Sequence, residues 1–399
     1  MKKGWETKRL GEVCSFLNRG ISPRYFEMGG ICVLNQKCIR DHRVSYEPAR
    51  RHDARAKKVG GERLVQAGDV LINSTGTGTL GRVAQLHEAP PEPTTVDSHV
   101  TIVRPMPGKF YPRFFGYMLV VIEDAIKEAG EGCGGQTELA RSVLAEKFSV
   151  HYPEALHEQQ RIVGILDEAF EGIATAKANA EKNLQNALAL FESHLQSVLR
   201  DQKWKWKTLG ELCEDVEYGS SAKSKVEGGV PVLRMGNIQD GRLDWENLVY
   251  TDDKTEIKKY LLKHNDVLFN RTNSPELVGK TAIYKSEMPA IFAGYLIRIH
   301  RKEDLLDADY LTYFLNSKIA FDYGKTVVIS SVNQANINGT KLKSYPIPAP
   351  SLAEQKAIVA ELDALSEETQ RLESIYQQKL ATLDELKKSL LHRAFTGEL

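Results

Sequence analysis

Three glycines, Gly76, Gly78 and Gly81, spell G-x-G-x-x-G directly after an apolar run in the stretch "GDVLINSTGTGTLGRVAQL". That spacing is the fingerprint of a dinucleotide-binding turn, where backbone amides at a helix N-terminus approach a pyrophosphate. The residues that follow, "RVAQL", read as a strand and not as the helix that would hold a phosphate. No acidic residue stands in strand context about twenty positions further on, where a ribose partner would be expected. A nucleotide-cofactor enzyme built on Gly76–Gly81 is therefore the least supported of three readings.

Other chemistry is equally thin. "NSPE" (Asn273–Glu276) has one proline of the Asn-Pro-Pro-aromatic turn of amino-methyltransferases, but the second proline and the aromatic are missing. No F-x-G-x-G loop, H-E-x-x-H, P-loop or nucleophile elbow occurs, and the ten histidines are scattered. His99 in "DSHV" reads as a structural or surface residue before it reads as a base. Neither catalytic residues nor a metal site are expected, and the chain reads as a binding protein.

Composition agrees. The 399 residues are 42% hydrophobic, enough for two or three cored domains. No N-terminal apolar segment and no apolar run of about eighteen residues occurs, so a cytoplasmic protein with no membrane partner is expected. Five cysteines (Cys14, Cys32, Cys38, Cys133, Cys213) are odd in number and scattered, as buried thiols of a reducing compartment would be. Net charge is zero, yet residues 1–60 hold 14 Lys or Arg against 6 Asp or Glu. A neutral total can hide a basic face.

The elements that must position any site are written twice. "KRLGEVC" (Lys8–Cys14) returns as "KTLGELC" (Lys207–Cys213), and "GGICVL" (Gly29–Leu34) as "GGVPVL" (Gly228–Leu233). "AGDVLINST" (Ala67–Thr75) returns as "HNDVLFNRT" (His264–Thr272), and "ALHEQQRIVGILDE" (Ala155–Glu168) as "SLAEQKAIVAELDA" (Ser351–Ala364). The offset stays near 196–199 residues, the mark of a duplicated unit. Set against its own copy, "LFNRTNSPELVG", the glycine-rich loop keeps only Gly81, matched by Gly279. What both copies share is a strand, a polar loop, a glycine and a strand.

Each copy begins with roughly 150 residues of short β-type runs and one aromatic helical piece, "PRFFGYMLV" or "DYLTYFLNS", and reads as a compact α+β domain. A long helix follows. Its apolar stripe runs through Ile162, Leu166, Ile173, Leu184, Phe191 and Leu195 in the first copy. In the second it runs through Ile358, Leu362, Leu365, Leu372, Leu380, Leu383 and Leu386. Ser351–Glu354 forms a capping box that starts the second helix. Each helix is about 60 Å if straight, and a one-sided stripe of that length needs another stripe. The expected architecture is α+β: globular domains at 1–153 and 201–350, and long helices at 154–200 and 351–399 that pair antiparallel as a coiled coil in a pseudo-two-fold, circular arrangement.

Two such domains, helices that follow a proline and open "L-x-E-Q-x-x-I-V-x-x-L-D", and the closing "SLLHRAFTGEL" (Ser389–Leu399) closely resemble the specificity subunit of type I restriction-modification systems. The resemblance covers essentially the whole chain. It implies two target recognition domains, each reading one half of an asymmetric bipartite double-stranded DNA sequence, with the helices as spacer. It implies docking of two modification subunits, which would carry S-adenosylmethionine, and of restriction subunits, while this chain binds no cofactor itself. A coiled-coil scaffold for protein or carbohydrate is the rival from another class.

On that resemblance, DNA contacts are expected from polar loops at equivalent places in both copies. They are Asn18, Arg19 and Arg24 with Ser220, Ser221 and Lys223; and Asn35, Gln36 and Lys37 with Arg234 and Asn237. Next come Asn73, Ser74, Thr75 and Thr77 with Asn270, Arg271, Thr272 and Asn273; and Gln136 with Asn333 and Gln334. Arg, Lys, Asn and Gln are the side chains that make bidentate contacts to base edges. For Lys57, Lys58 and the "RRHDAR" run a phosphate contact or plain solvated charge is expected before base reading.

Overall fold

The computed structural model describes residues 4–133, 136–201, 203–239, 241–331 and 334–399. The chain divides into two compact units: one runs to Asn179 and takes in Lys379–Leu399, the other is Ala180–Gln378. Both divisions fall inside long helices, the first at Leu156–Leu199 and the second at Leu352–Thr396. Each unit therefore owns the start of one long helix and the end of the other.

In the first unit a four-stranded antiparallel sheet has the order Cys14–Arg19, Val100–Pro105, Val70–Asn73, Val83–Gln85. Its inner strands are largely apolar because both faces are covered, while the edge strand Cys14–Arg19 is only partly buried. Val70, Ile72 and Val103 face one core, with Phe114, Phe115 and Leu119 of the helix Pro112–Val121. Leu71, Ala84 and Ile102 face a second core with Leu34 and Ile39, under a smaller sheet in which Ile31–Leu34 pairs parallel with Thr94–Val96 and antiparallel with Arg50–His52. Period-2 alternation thus sorts neighbours into two cores.

The second unit repeats this. Its main sheet is Cys213–Tyr218, Leu296–Arg301, Asp266–Asn270, Thr281–Tyr284, in the same order and sense. Val267 and Phe269 face one core while Leu268 faces the other. Val230–Leu233 again pairs parallel with one neighbour, Ile291–Phe292, and antiparallel with the other, Val249–Thr251. Gly81 (φ +84°) and Gly279 (φ +97°) close the same turn, each donating its N–H to the asparagine at the strand end, Asn73 or Asn270, at 2.8 Å. A Cβ at that φ would be strained.

The helix-start motif is explained by one residue. Gln159 is fully buried; its Oε1 accepts from the backbone N–H of Tyr111 (2.8 Å), and its Nε2 donates to the carbonyls of Pro153 (2.8 Å) and Lys109 (3.3 Å). Gln355 does the same with Asp307 N–H (2.8 Å), Pro350 O (3.0 Å) and Leu305 O (2.8 Å). The motif's aspartate, directly after its last leucine, also holds the domain: Tyr117 Oη donates to Asp167, and Tyr313 Oη to Asp363, both at 2.6 Å. Motif residues join each helix start to the aromatic helix of its own domain.

The stripe residues divide accordingly. Ile162 and Leu166 enter the first unit's core beside Leu391, Ala394 and Phe395, and Phe395 packs 4.9 Å from Phe114. Leu195, Ile358 and Leu362 enter the second unit's core. Ile173 is buried, and Leu184, Phe191, Leu365, Leu372, Leu380 and Leu383 are half-buried. Within the first unit the helix segments run antiparallel: Lys177 pairs with Asp384, and Arg161 donates to Leu399 O at 2.9 Å. Leu386 corrects the expected stripe, because it is 45% exposed. The inward position is 387, where the Lys387 ammonium lies 5.2 Å from the Phe170 ring centre. An apolar pattern search passes over a lysine whose stem does the packing.

Of the five cysteines, Cys14, Cys32, Cys38 and Cys213 are free thiols, and burial pushes Cys38 up to about 11. No described helix is long and apolar enough to cross a membrane.

Replacing Gln355 with Leu leaves a buried N–H and two carbonyls without partners, at a cost of about 1–3 kcal/mol for each group that stays dry. Urea denaturation of Gln355→Leu, and separately of Gln159→Leu, should show a loss of roughly 2–5 kcal/mol. A loss below about 0.5 kcal/mol, the size of an ordinary surface substitution, would remove the clamp from this account.

Candidate nucleic-acid interface

The loops at one end of each main sheet come together. In the first unit Arg19, at the end of Cys14–Arg19, donates Nη1 to Glu138 (2.6 Å) and Nη2 to Leu139 O (2.7 Å), and Arg141 holds Asn18 at 3.0 Å. Gln36 donates Nε2 to Thr75 Oγ1 at 2.6 Å, and that hydroxyl lies 2.7 Å from His99 Nδ1. Backbone bonds tie the same loops: Ser74 N–H to His99 O and Leu139 N–H to Ser74 O, both 2.8 Å. Five segments distant in sequence thus present Arg19, Gln36, Thr75, His99 and Glu138 in one patch.

The second unit has the same scaffold with different side chains. Arg271 N–H donates to Tyr295 O (3.0 Å) and Ile337 N–H to Arg271 O (2.9 Å), matching the bonds at Ser74. The Arg271 guanidinium reaches Gly294 O (3.2 Å) and Asn336 Oδ1 (3.3 Å) and lies 4.9 Å from the Tyr218 ring centre. Asn336 donates to Thr272 Oγ1 at 2.7 Å, and Tyr218 Oη accepts from Gly339 N–H at 2.7 Å. Tyr218 and Tyr295 are both exposed. One patch is a charged and carboxamide network, the other an arginine with two tyrosines.

Several expected contacts are framework instead. Asn73, Ser74, Ser220, Asn237, Asn270 and Thr272 are buried and turned inward. Ser74 shares a 2.5 Å bond with Thr101, Asn237 donates to the carbonyls of Asp244 and Glu246, and Ser220 bonds Glu256. Asn35 caps a turn through Lys37 N–H, Asn273 accepts from Ser274 N–H, and Arg234 donates to Asn247 O. Asn35, Asn237, Asn273 and Arg234 satisfy backbone groups in their own turns, as polar residues at strand ends do. Arg24, Lys37, Thr77, Ser221, Lys223 and Gln334 are exposed. Arg40, Arg43, Arg50, Arg55, Lys57 and Lys58 are exposed as well. Arg50 stacks on Tyr25 at 3.4 Å from the ring centre. Asn333 and the side chain of Gln136 lie outside the described residues.

Sequence reasoning missed His99, Arg141 and Tyr295. The repeat held a signal for two of them, since "DSHVTIV" and "AGYLIRI" put His99 and Tyr295 at one position of one turn. The glycine-rich loop, for its part, leads into a strand and not into a helix. Gly76 (φ +105°) and Gly78 (φ +76°) bend a loop that returns to the strand Val83–Gln85. Among the described residues no three metal-ligating side chains gather.

Beneath the second patch lies an ion network. Arg298 is buried and donates to Glu217 (2.6 and 3.1 Å) and Asp266 (3.0 Å), while His300 Nε2 lies 3.1 Å from Glu217. Burial raises the Glu217 carboxyl, but the bonds and charge of Arg298, then of His300, outweigh it and hold the group below its ordinary value. In the first unit Asp69, fully buried at the place of Asp266, takes a bidentate pair from Arg104 at 2.7 Å.

Comparison with known proteins follows this geometry. The family described as Type I restriction modification DNA specificity domain matches residues 2–185 and 201–381. The type I restriction enzyme StySPI specificity subunit of Salmonella potsdam is 28% identical over 262 residues, covering 61% of this chain and 56% of that one. The chain spans about half the length of the curated relatives it matches. Its fold is similar to a chain from a type I R-M system studied for complex assembly and conformational transition (TM-score 0.78, 19% identity, 100% and 99% of the two chains). It is also similar to the HsdS subunit from Thermoanaerobacter tengcongensis (TM-score 0.61, 20% identity, 100% and 98%).

Because the folded state holds Glu217 below its unfolded value of about 4.3, this carboxylate contributes stability that is present above that value. The contribution is lost as pH falls through the lower, folded value. Urea midpoints of the parent and Glu217→Gln should differ at pH 7 and converge in acid. A constant difference from pH 7 down to about pH 2.5 would contradict the assignment.

Proposed function

The chain belongs to the type I restriction-modification DNA specificity family, and from that premise we infer that each unit reads one half of a bipartite double-stranded DNA target. The observation that carries this reading is the pair of loop clusters, built on the same backbone bonds in both units and differing in their side chains. A common scaffold gives both clusters one presentation, and different side chains give two half-site sequences, so the target is asymmetric. Arg19, Gln36, Glu138 and Arg271 carry the donors and acceptors that discriminate base edges in a major groove. The exposed Arg24, Lys37, Lys57 and Lys58 suit phosphate contacts, which fix register without reading sequence.

In this reading the chain is not an enzyme. Two modification subunits dock on it and hold the S-adenosylmethionine used to methylate adenine, and restriction subunits join them in the cytoplasm. The long helices set the separation between half-sites, since half-site spacing follows protein geometry. The clamps at Gln159 and Gln355 support that role, because they leave each helix start no freedom against its own domain.

The test is coexpression with a modification subunit followed by sequencing of methylated adenines. The expected result is a bipartite motif. Exchange of residues 210–345 for the equivalent segment of a relative should change one half of it alone. A contiguous motif, or a change in both halves, would contradict the assignment.

A further inference from the structure

A cleft of about 620 Å³ opens in the second unit, and its walls include Phe191, Glu192, Arg242, Trp245, Tyr313 and Asp363. Aromatic faces are electron-rich and attract cations, and carboxylates form their strongest hydrogen bonds with charged N–H donors. The first unit shows what the fold does with the same place. There Asp167 receives Tyr117 on one oxygen (2.6 Å) and Arg113 on the other (2.7 Å), and Lys387 lies 5.2 Å from the Phe170 ring centre.

In the second unit, 196 residues on, Tyr313 makes the same 2.6 Å bond to Asp363. The two cations are gone. Asp309 stands where Arg113 stood, and it turns to Lys285 at 2.7 Å. Phe191 stands where the offset puts Lys387. Glu192, in place of Lys388, only accepts from Gln196 within its own helix, at 2.7 Å. Among the described residues no cation pairs with Asp363. Arg242 is exposed on the hairpin that forms one rim. The phenol–carboxylate pair has been kept and the arginine on the second aspartate oxygen has been removed; the cations that line this cleft are Lys285, paired with Asp309, and Arg242 on the rim, neither of which pairs with Asp363.

We propose that this cleft of the second unit binds an organic cation from outside the chain, a guanidinium or alkylammonium group. It would seat between the aromatic rings with N–H donors on Asp363 and Glu192. The proposal rests on the two copies of the fold and is independent of what the loops read.

Titration calorimetry of the full chain with agmatine, which carries both cationic groups, tests it. Saturable binding of one agmatine per chain is expected. Asp363→Asn should weaken it roughly tenfold or more, as loss of a charge-assisted bond does. A double variant, Phe191→Lys with Asp309→Arg, restores the cations that the first unit carries. It should abolish binding while unfolding at the parent's temperature. Absence of saturable binding to the parent, or equal binding by parent and both variants, overturns the proposal. A second arm, which does rest on the preceding reading, adds the modification subunit. If that subunit supplies the cation, agmatine no longer binds the complex and the double variant assembles poorly. If the natural ligand is a free cation, agmatine binds the complex as it binds the chain.

Discussion

A buried glutamine at the start of each long helix is the contact on which the rest depends. Gln159 and Gln355 each satisfy a backbone N–H and two carbonyls that would otherwise be buried without partners. The arrangement is unforgiving, since no apolar residue of the same size can replace those bonds and a charged one would be desolvated. Its consequence is mechanical. The helix cannot roll or slide against the strand Ser149–Pro153 or the aromatic helix of the first unit without breaking the set. The same holds for Pro350 and for the start of the helix Ala308–Leu315 in the second. A domain fixed in this way to a helix is suited to presenting loops at a defined distance along it.

Above that joint, the sheet does the positioning. Its inner strands are buried on both faces, which leaves their ends as places where side chains can vary without disturbing a core. Residues that recur at the strand ends serve the sheet: Asn73 and Asn270 both receive the N–H of the turn-closing glycine on their carbonyls. Residues that differ, such as His99 against Tyr295 or Glu138 against Asn336, occupy the rim. The duplicated unit thus separates what folding requires from what recognition can alter. The same separation is visible at the cleft, where one copy neutralises its aspartate internally and the other does not.

Much of this organisation was legible in the sequence. A constant offset between repeats gives the duplication, and the apolar stripes with their capping box give the long helices. The architecture within each unit follows from short β-type runs around one aromatic helix. The interface was only half legible. Choosing polar residues that recur in both copies favours framework, because recurrence reflects what both copies need in order to fold. Ser74, Asn237 and Thr272 recur in this way and lie inside. Arg141 escaped notice because its role, holding Asn18 across 123 positions, has no local pattern. Lys387 was passed over because its packing uses methylenes that an apolar count ignores, so the stripe was drawn through Leu386.

The central claim is that the rim residues, not the strand-end framework beneath them, select the bases, and that each unit acts on its own half-site. The most direct measurement is selection of bound duplexes from a randomised pool by the assembled complex. It would be carried out with the parent and with a first-unit rim variant combining Gln36→Ala, His99→Ala and Glu138→Ala. The account predicts relaxed or altered preference in one half of the motif, with the other half and the spacing unchanged. Preferences that shift in both halves, or in neither, would contradict it.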